Sequence, residues 1–176
     1  MTSPVLAVAG VIASGKTTIS RHIATALGWP WASFGAYVRG EAQRRGLPND
    51  RLTLQHLGDE LIGFGLEPFC YGVLAEAGWQ AGLSVVLDGI RHAHVVYTLR
   101  ALVNPQPLIL AFVSIPEDIR AIRLQARGID LSTQQQYDHH ANEADVLTTL
   151  PQLADIVLDG SQSLENIISH LVGALK

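Results

Sequence analysis

Apolar positions run along this chain in two rhythms. Val5 to Ala9 is a continuous, partly β-branched apolar run closed by Gly10, the pattern of a strand buried on both faces. From Thr17 to Leu27 the apolar or small residues Ile19, Ile23, Ala26 and Leu27 recur at helical spacing, and Gly28 ends the run, which predicts a helix with a glycine terminus. The alternation continues. Trp31 to Ser33 reads as a short second strand, and Ala36 to Arg45 as a helix ended by Gly46-Leu47-Pro48. Leu52 to Ala77 reads as helical, interrupted around Gly63, Gly65 and Pro68. Ser84 to Leu87 is a third strand, His92 to Val103 a helix closed by Asn104-Pro105, and Leu108 to Val113 a fourth strand. Pro116 opens the next helix, with Glu117 and Asp118 in the first turn, where the helix dipole favours acids. Asp155 to Leu158 is the last strand and Ser161 to Leu175 the last helix. Strands that alternate with helices predict an α/β fold with a parallel sheet covered on both faces. No repeat or linker divides the chain, so residues 1–176 are expected to form one domain.

Composition narrows the class. A hydrophobic fraction of 48% with 16% charged residues fits a soluble globular domain, and no apolar run approaches the roughly 18 residues of a membrane span. Met1 to Pro4 carries no basic segment of a secretory signal, and Cys70 is the single cysteine, so a cytoplasmic location is expected. The net charge of −4 argues against a general nucleic-acid binder. Its distribution is uneven: eleven of the twelve Lys and Arg lie between Lys16 and Arg127, and none between Gly128 and Leu175. Any polyanion site must therefore come from the first two-thirds of the chain.

One motif carries specific chemistry. Gly10-Val11-Ile12-Ala13-Ser14-Gly15-Lys16-Thr17 matches G-x-x-x-x-G-K-[ST] between a predicted strand and a predicted helix. Glycines let backbone N–H groups turn inward around a β-phosphate, Lys16 brings a mobile cation to the β and γ oxygens, and the Thr17 hydroxyl is suited to Mg²⁺. The expected ATP-binding set is Gly10, Ala13, Ser14, Gly15, Lys16, Thr17 and Thr18, with Mg²⁺ as the cofactor.

Two further segments suggest the acceptor. Ala32-Ser33-Phe34-Gly35-Ala36-Tyr37-Val38-Arg39 resembles the acceptor-binding turn and helix of adenylate-kinase-like nucleoside monophosphate kinases. Val85-Val86-Leu87-Asp88-Gly89-Ile90-Arg91 resembles their strand-Asp-Gly-x-x-Arg segment, and resembles more closely an archaeal P-loop family related to dephospho-CoA kinase. Arg45-Gly46-Leu47 extends that second likeness. The resemblance implies a three-layer P-loop NTPase fold with strand order 2-3-1-4-5, a helical acceptor-binding segment over about 34–81 and a lid over about 128–142. It also implies Ser33, Gly35, Arg39, Asp88 and Arg91 around the acceptor, and Thr17 with Asp88 at the metal. The residues support this reading independently. Arg39 and Arg91 follow strand ends, on the side where open α/β sheets bind ligands, and arginine forks suit phosphate oxygens.

Arg120, Arg123 and Arg127 share a face of the helix opened by Pro116, so they repel one another unless something negative lies against them. Arg123-Leu124-Gln125-Ala126-Arg127 resembles the Arg-x-x-x-Arg with which such kinases hold adenine and the ATP phosphates. Lys16, Asp88, Arg91, Arg123 and Arg127 are thus the expected catalytic set. The lid departs from the resemblance because no arginine follows Arg127; His139 or His140 is a titratable substitute. The expected activity is ATP-dependent phosphoryl transfer to a nucleoside monophosphate. Alternatives are an adenylate-bearing alcohol such as dephospho-CoA, and a nucleotide-binding regulator with little transfer.

Overall fold

The computed structural model describes residues 3–130, 132, 133, 135 and 141–175. Its centre is strand β1 (Val5–Gly10), every residue of which is buried. Around it lie β2 (Trp31–Ser33), β3 (Val85–Ile90), β4 (Leu108–Ser114) and β5 (Ile156–Asp159). All pairings are parallel and the order is β2-β3-β1-β4-β5, the predicted 2-3-1-4-5 arrangement. Parallel neighbours require crossovers. These are supplied by α1 (Lys16–Leu27), α2 (Phe34–Arg44), α3 (Arg51–Phe64), α4 (Leu66–Glu76), α5 (Ala93–Val103) and α6 (Glu117–Ala126), followed by α7 (Ala141–Leu147), α8 (Leu150–Leu153) and α9 (Leu164–Ala174).

Alternation along the strands builds two cores. Val5, Ala7 and Ala9, with Val85, Leu87, Leu110 and Phe112, face the layer containing α2 to α5. Leu6 and Val8, with Val86, Ala111 and Val113, face α1 and α9. This two-sided burial explains why the strands read as apolar runs rather than as alternating patterns.

The interrupted helix resolves into α3 and α4, which meet at Gly65 with φ +150. Gly63 stays inside α3. Pro68 falls in the first turn of α4, where its missing N–H costs nothing. The last helix starts at Leu164 rather than Ser161, because Ser163 caps it by accepting from Asn166 N–H.

The third strand runs three residues beyond Leu87. Val8 pairs with Asp88 and Ala9 with Ile90, so Gly89 is the extra residue of a bulge, and its φ of +84 suits glycine. Asp88 therefore lies inside the ladder, opposite both Val8 and Ser33.

Candidate functional site: a phosphate loop beside a cavity

The loop between β1 and α1 is shaped by its backbone. Gly10 (φ +155), Ala13 (φ +67) and Gly15 (φ +93) hold conformations that L side chains rarely adopt. A Cβ at Gly10 would lie 2.8 Å from both Ser14 Oγ and Val113 O. Gly15 is the N-cap of α1, whose first residues are Lys16 and Thr17, so the loop delivers an anion to a helix N-terminus. Lys16 Nζ lies 3.4 Å from Val11 O, folded back across the loop.

Helix α6 grips the outside of this loop. Arg120 Nε donates to Ile12 O at 3.2 Å, and Arg123 Nη1 donates to Ala13 O at 3.3 Å and Ser14 O at 3.1 Å. Arg123 Nη2 donates to Gly160 O at 2.9 Å. Because each peptide is planar, drawing these carbonyls outward turns the N–H groups of Ala13 and Gly15 toward the other side, while the Ser14 N–H closes a turn by donating to Val11 O at 3.2 Å. The negative partner expected against the arginines is thus the loop's own carbonyl edge. Glu117, 3.3 Å from the buried Arg120 guanidinium, adds to it. Arg127 is exposed at the C-cap of α6.

Asp88 lies between the loop and a cavity. It is 2% exposed, and its Oδ2 accepts the Thr17 hydroxyl at 2.8 Å. Burial pushes its carboxyl above the usual carboxylate range, against the opposing pull of the Thr17 hydroxyl, Lys16, the Gly89 N–H and Arg91. Its Oδ1 is buried with no partner. An orphaned carboxylate oxygen beside a threonine hydroxyl is a hard-oxygen donor set, and Mg²⁺ fits it.

Beyond Asp88 opens a cavity of about 590 Å³. Three of the five residues expected around the acceptor line it: Gly35, Arg39 and Arg91, with Gly89 and Ile90 at the end of β3 just before the arginine. Ser33 does not line it. Its Oγ accepts from Ala36 N–H at 3.3 Å and caps α2, which fixes the first turn carrying Gly35 and sets Arg39 on the next. A Cβ at Gly35 would meet Arg39 Nη1 at 3.5 Å, ordinary van der Waals contact, so the guanidinium packs directly against this turn. Phe34 and Phe69 form an apolar wall, their rings edge to face at 5.2 Å.

Sequence reasoning missed two contributors. Asn49, Arg51, Gln55 and Asp59 bring a polar wall from the loop before α3 and from α3 itself. The spacing of 51, 55 and 59 at successive helical turns was the available signal. The turn after β5 was also missed. A Cβ at Gly160 would lie 2.8 Å from Ser14 O and 3.0 Å from Ser114 O, so this glycine permits the close approach that Arg123 bridges. His139, His140 and the rest of 136–140, with 131 and 134 of the expected lid, lie outside the described residues. Among the described residues no cluster of His, Cys, Asp or Glu suited to a metal ion occurs, and no helix is long and apolar enough to cross a membrane.

Among solved structures, shikimate kinase from Acinetobacter baumannii in complex with shikimate superposes with a TM-score of 0.64 at 17% identity, covering 99% of this chain and 93% of that one. That likeness shows the fold. With its loop and strand order, the chain has the fold of the P-loop kinases, a five-stranded parallel sheet in the order 2-3-1-4-5 flanked by helices. Its sequence is similar to the UPF0200 protein of Pyrobaculum aerophilum, 36% identical over 124 residues, which is 70% of this chain and 66% of that protein. The chain therefore spans just under two thirds of the length of that relative. A shorter stretch of 38 residues is 50% identical to the cytidylate kinase of Bdellovibrio bacteriovorus, covering 22% of this chain and 18% of that enzyme. No protein-family model matches the chain.

Proposed function

We propose that this protein is a cytoplasmic nucleotide kinase that transfers the γ-phosphoryl group of ATP to the phosphate of a nucleoside monophosphate. The observation that carries the reading is the cavity holding Arg39 and Arg91, next to a buried carboxylate that reaches the phosphate loop through Thr17. The short match to a cytidylate kinase supports it. A phosphoanhydride transfer asks the protein chiefly to position two anions and offset their charge. The loop N–H groups and Lys16 hold the β and γ phosphates of the donor, and Arg123 keeps the loop in that shape while Arg127 lies exposed at the end of the same helix. Arg39 and Arg91 hold the acceptor phosphate so that its oxygen attacks the γ-phosphorus in line as the bond to the β-phosphate oxygen breaks. Thr17 and Asp88 would hold Mg²⁺, which neutralises charge on the β and γ oxygens when bound. No proton need be removed from a phosphate acceptor, which agrees with a site that presents cations first.

An alcohol acceptor such as dephospho-CoA is the second reading. It is favoured by the raised affinity of Asp88 for a proton, which is the tuning a general base requires. ADP release measured with ATP, Mg²⁺ and each of a panel of monophosphates and dephospho-CoA tests both. We expect stimulation by at least one monophosphate; phosphorylation of dephospho-CoA alone would replace the first reading with the second.

A further inference from the structure

The cavity's far wall carries chemistry that phosphate binding does not use. Helix α3 contributes Arg51, Gln55 and Asp59, which follow one another at intervals of four residues and all line the cavity. In a helix that spacing stacks side chains on one face, and the three span about 12 Å along the axis. Leu54 and Ile62 from the same helix, and Phe34, Val38 and Phe69 opposite, supply apolar surface around this polar line. A flat, edge-polar ring fits between such walls, with its faces on the hydrocarbon and its edge on the polar residues.

The polar line has a direction. Arg51 only donates hydrogen bonds, Gln55 donates and accepts, and an ionised Asp59 only accepts. A base edge is much shorter than this line, so it is matched to one interval, Gln55 with Asp59: a complementary edge offers an amine toward Asp59 and either a donor or an acceptor toward Gln55. Cytosine offers O2, N3 and the N4 amine in that order; guanine offers O6, N1–H and the N2 amine. Adenine matches with its N6 amine and N1. Uracil has a carbonyl at both ends of its edge, so one of them would face the Asp59 carboxylate.

Resting on the nucleoside monophosphate reading, we infer that Gln55 and Asp59 are base-reading residues that select an acceptor whose base carries an exocyclic amine and discriminate against uracil. Asp59 is exposed at the rim of the cavity, so water moderates the repulsion. The discrimination expected is about tenfold or somewhat more, below the much larger ratios of fully enclosed polar sites.

The test uses the whole chain with ATP and Mg²⁺, comparing kcat/KM for CMP, GMP, AMP and UMP, and measures binding of the same four monophosphates by calorimetry. We expect the best amine-bearing substrate to exceed UMP by about tenfold or more, and Asp59→Asn to shrink that ratio to within about threefold, because the Asn amide can donate to a uracil carbonyl. Should Asp59→Asn fail to fold, Gln55→Leu supplies the same comparison through lost base selectivity. Equal use of UMP by the parent protein, or an unchanged ratio in the variants, overturns the inference. Binding with the amine preference but without phosphorylation upholds it while removing the kinase reading, and the absence of any monophosphate binding removes both.

Discussion

The donor cradle and the acceptor cavity sit side by side but are made differently. The cradle is backbone: three residues at positive φ, a helix N-terminus, and carbonyls drawn outward by two arginines. The cavity is made of side chains from α2, α3, α4, the end of β3 and the start of α5. Backbone sites tolerate few alternative sequences, because only particular residues allow the required dihedral angles. Side-chain walls allow many. This explains how one loop recurs among proteins whose acceptors differ, and why the loop alone does not name the acceptor.

Breaking the cradle should cost most. Lys16→Ala removes the cation at the transferring group, and ADP formation is expected to fall about a thousandfold or more in a steady-state assay with the fold intact. A loss of less than about tenfold would mean that the loop does not serve transfer.

Asp88 belongs to both regions, and its substitution should separate function from stability. Asp88→Asn is expected to lower kcat about a hundredfold or more. The fold should gain by the same change. The folded carboxyl holds its proton above the ordinary carboxylate range because burial disfavours the charge. Its favourable contribution is therefore complete below that range and is lost as pH rises through the folded value. Scanning calorimetry of the ligand-free protein should show a higher Tm for Asp88→Asn at neutral pH, with the gap closing in acid. Activity that needs ionised Asp88 should fall on an acid limb displaced upward from that of an ordinary aspartate. A Tm lowered at neutral pH would contradict the burial account.

The acceptor side should give smaller and more selective losses. Arg39→Ala and Arg91→Ala are each expected to raise the KM for the acceptor about tenfold to a hundredfold while changing the KM for ATP much less. If the two constants moved together, the cavity would be part of the donor site and the distinction drawn above would fail.

The smallest effect concerns how the cavity is supported. Tyr37 of α2 lies over Gly72 of α4, where a Cβ would come within 2.5 Å of the Tyr37 hydroxyl. Gly72→Ala should destabilise the protein by about 1–3 kcal/mol in denaturant titration, through overpacking rather than through any lost polar contact. A neutral result would show that α2 and α4 can move apart, and with them the wall that carries Phe34 and Phe69.

Much of the fold was legible locally. All five strands and the helices between them, apart from α7 and α8, follow from apolar runs and their glycine or proline stops, with ends shifted by a few residues where caps such as Ser163 decide. The acceptor segment was legible in part. Gly35, Arg39 and Arg91 do line the cavity, while Ser33 caps a helix beside it. Arg51, Gln55 and Asp59 were not singled out, because a polar stripe on a helix has the same pattern whether it faces water or a cavity.

By itself, then, the order of residues determined the phosphate loop, the alternation of strands and helices, and the placing of eleven of the twelve basic residues before Gly128. Each depends on dihedral preference, periodicity or composition, which are properties of neighbours along the chain. Only the tertiary structure decided that Asp88 lies inside a bulged strand against Thr17, that Arg123 clasps the loop from outside, and that α3 turns its polar stripe inward. Those contacts join residues as many as 110 positions apart. They follow from which surfaces pack together, and no local pattern records that.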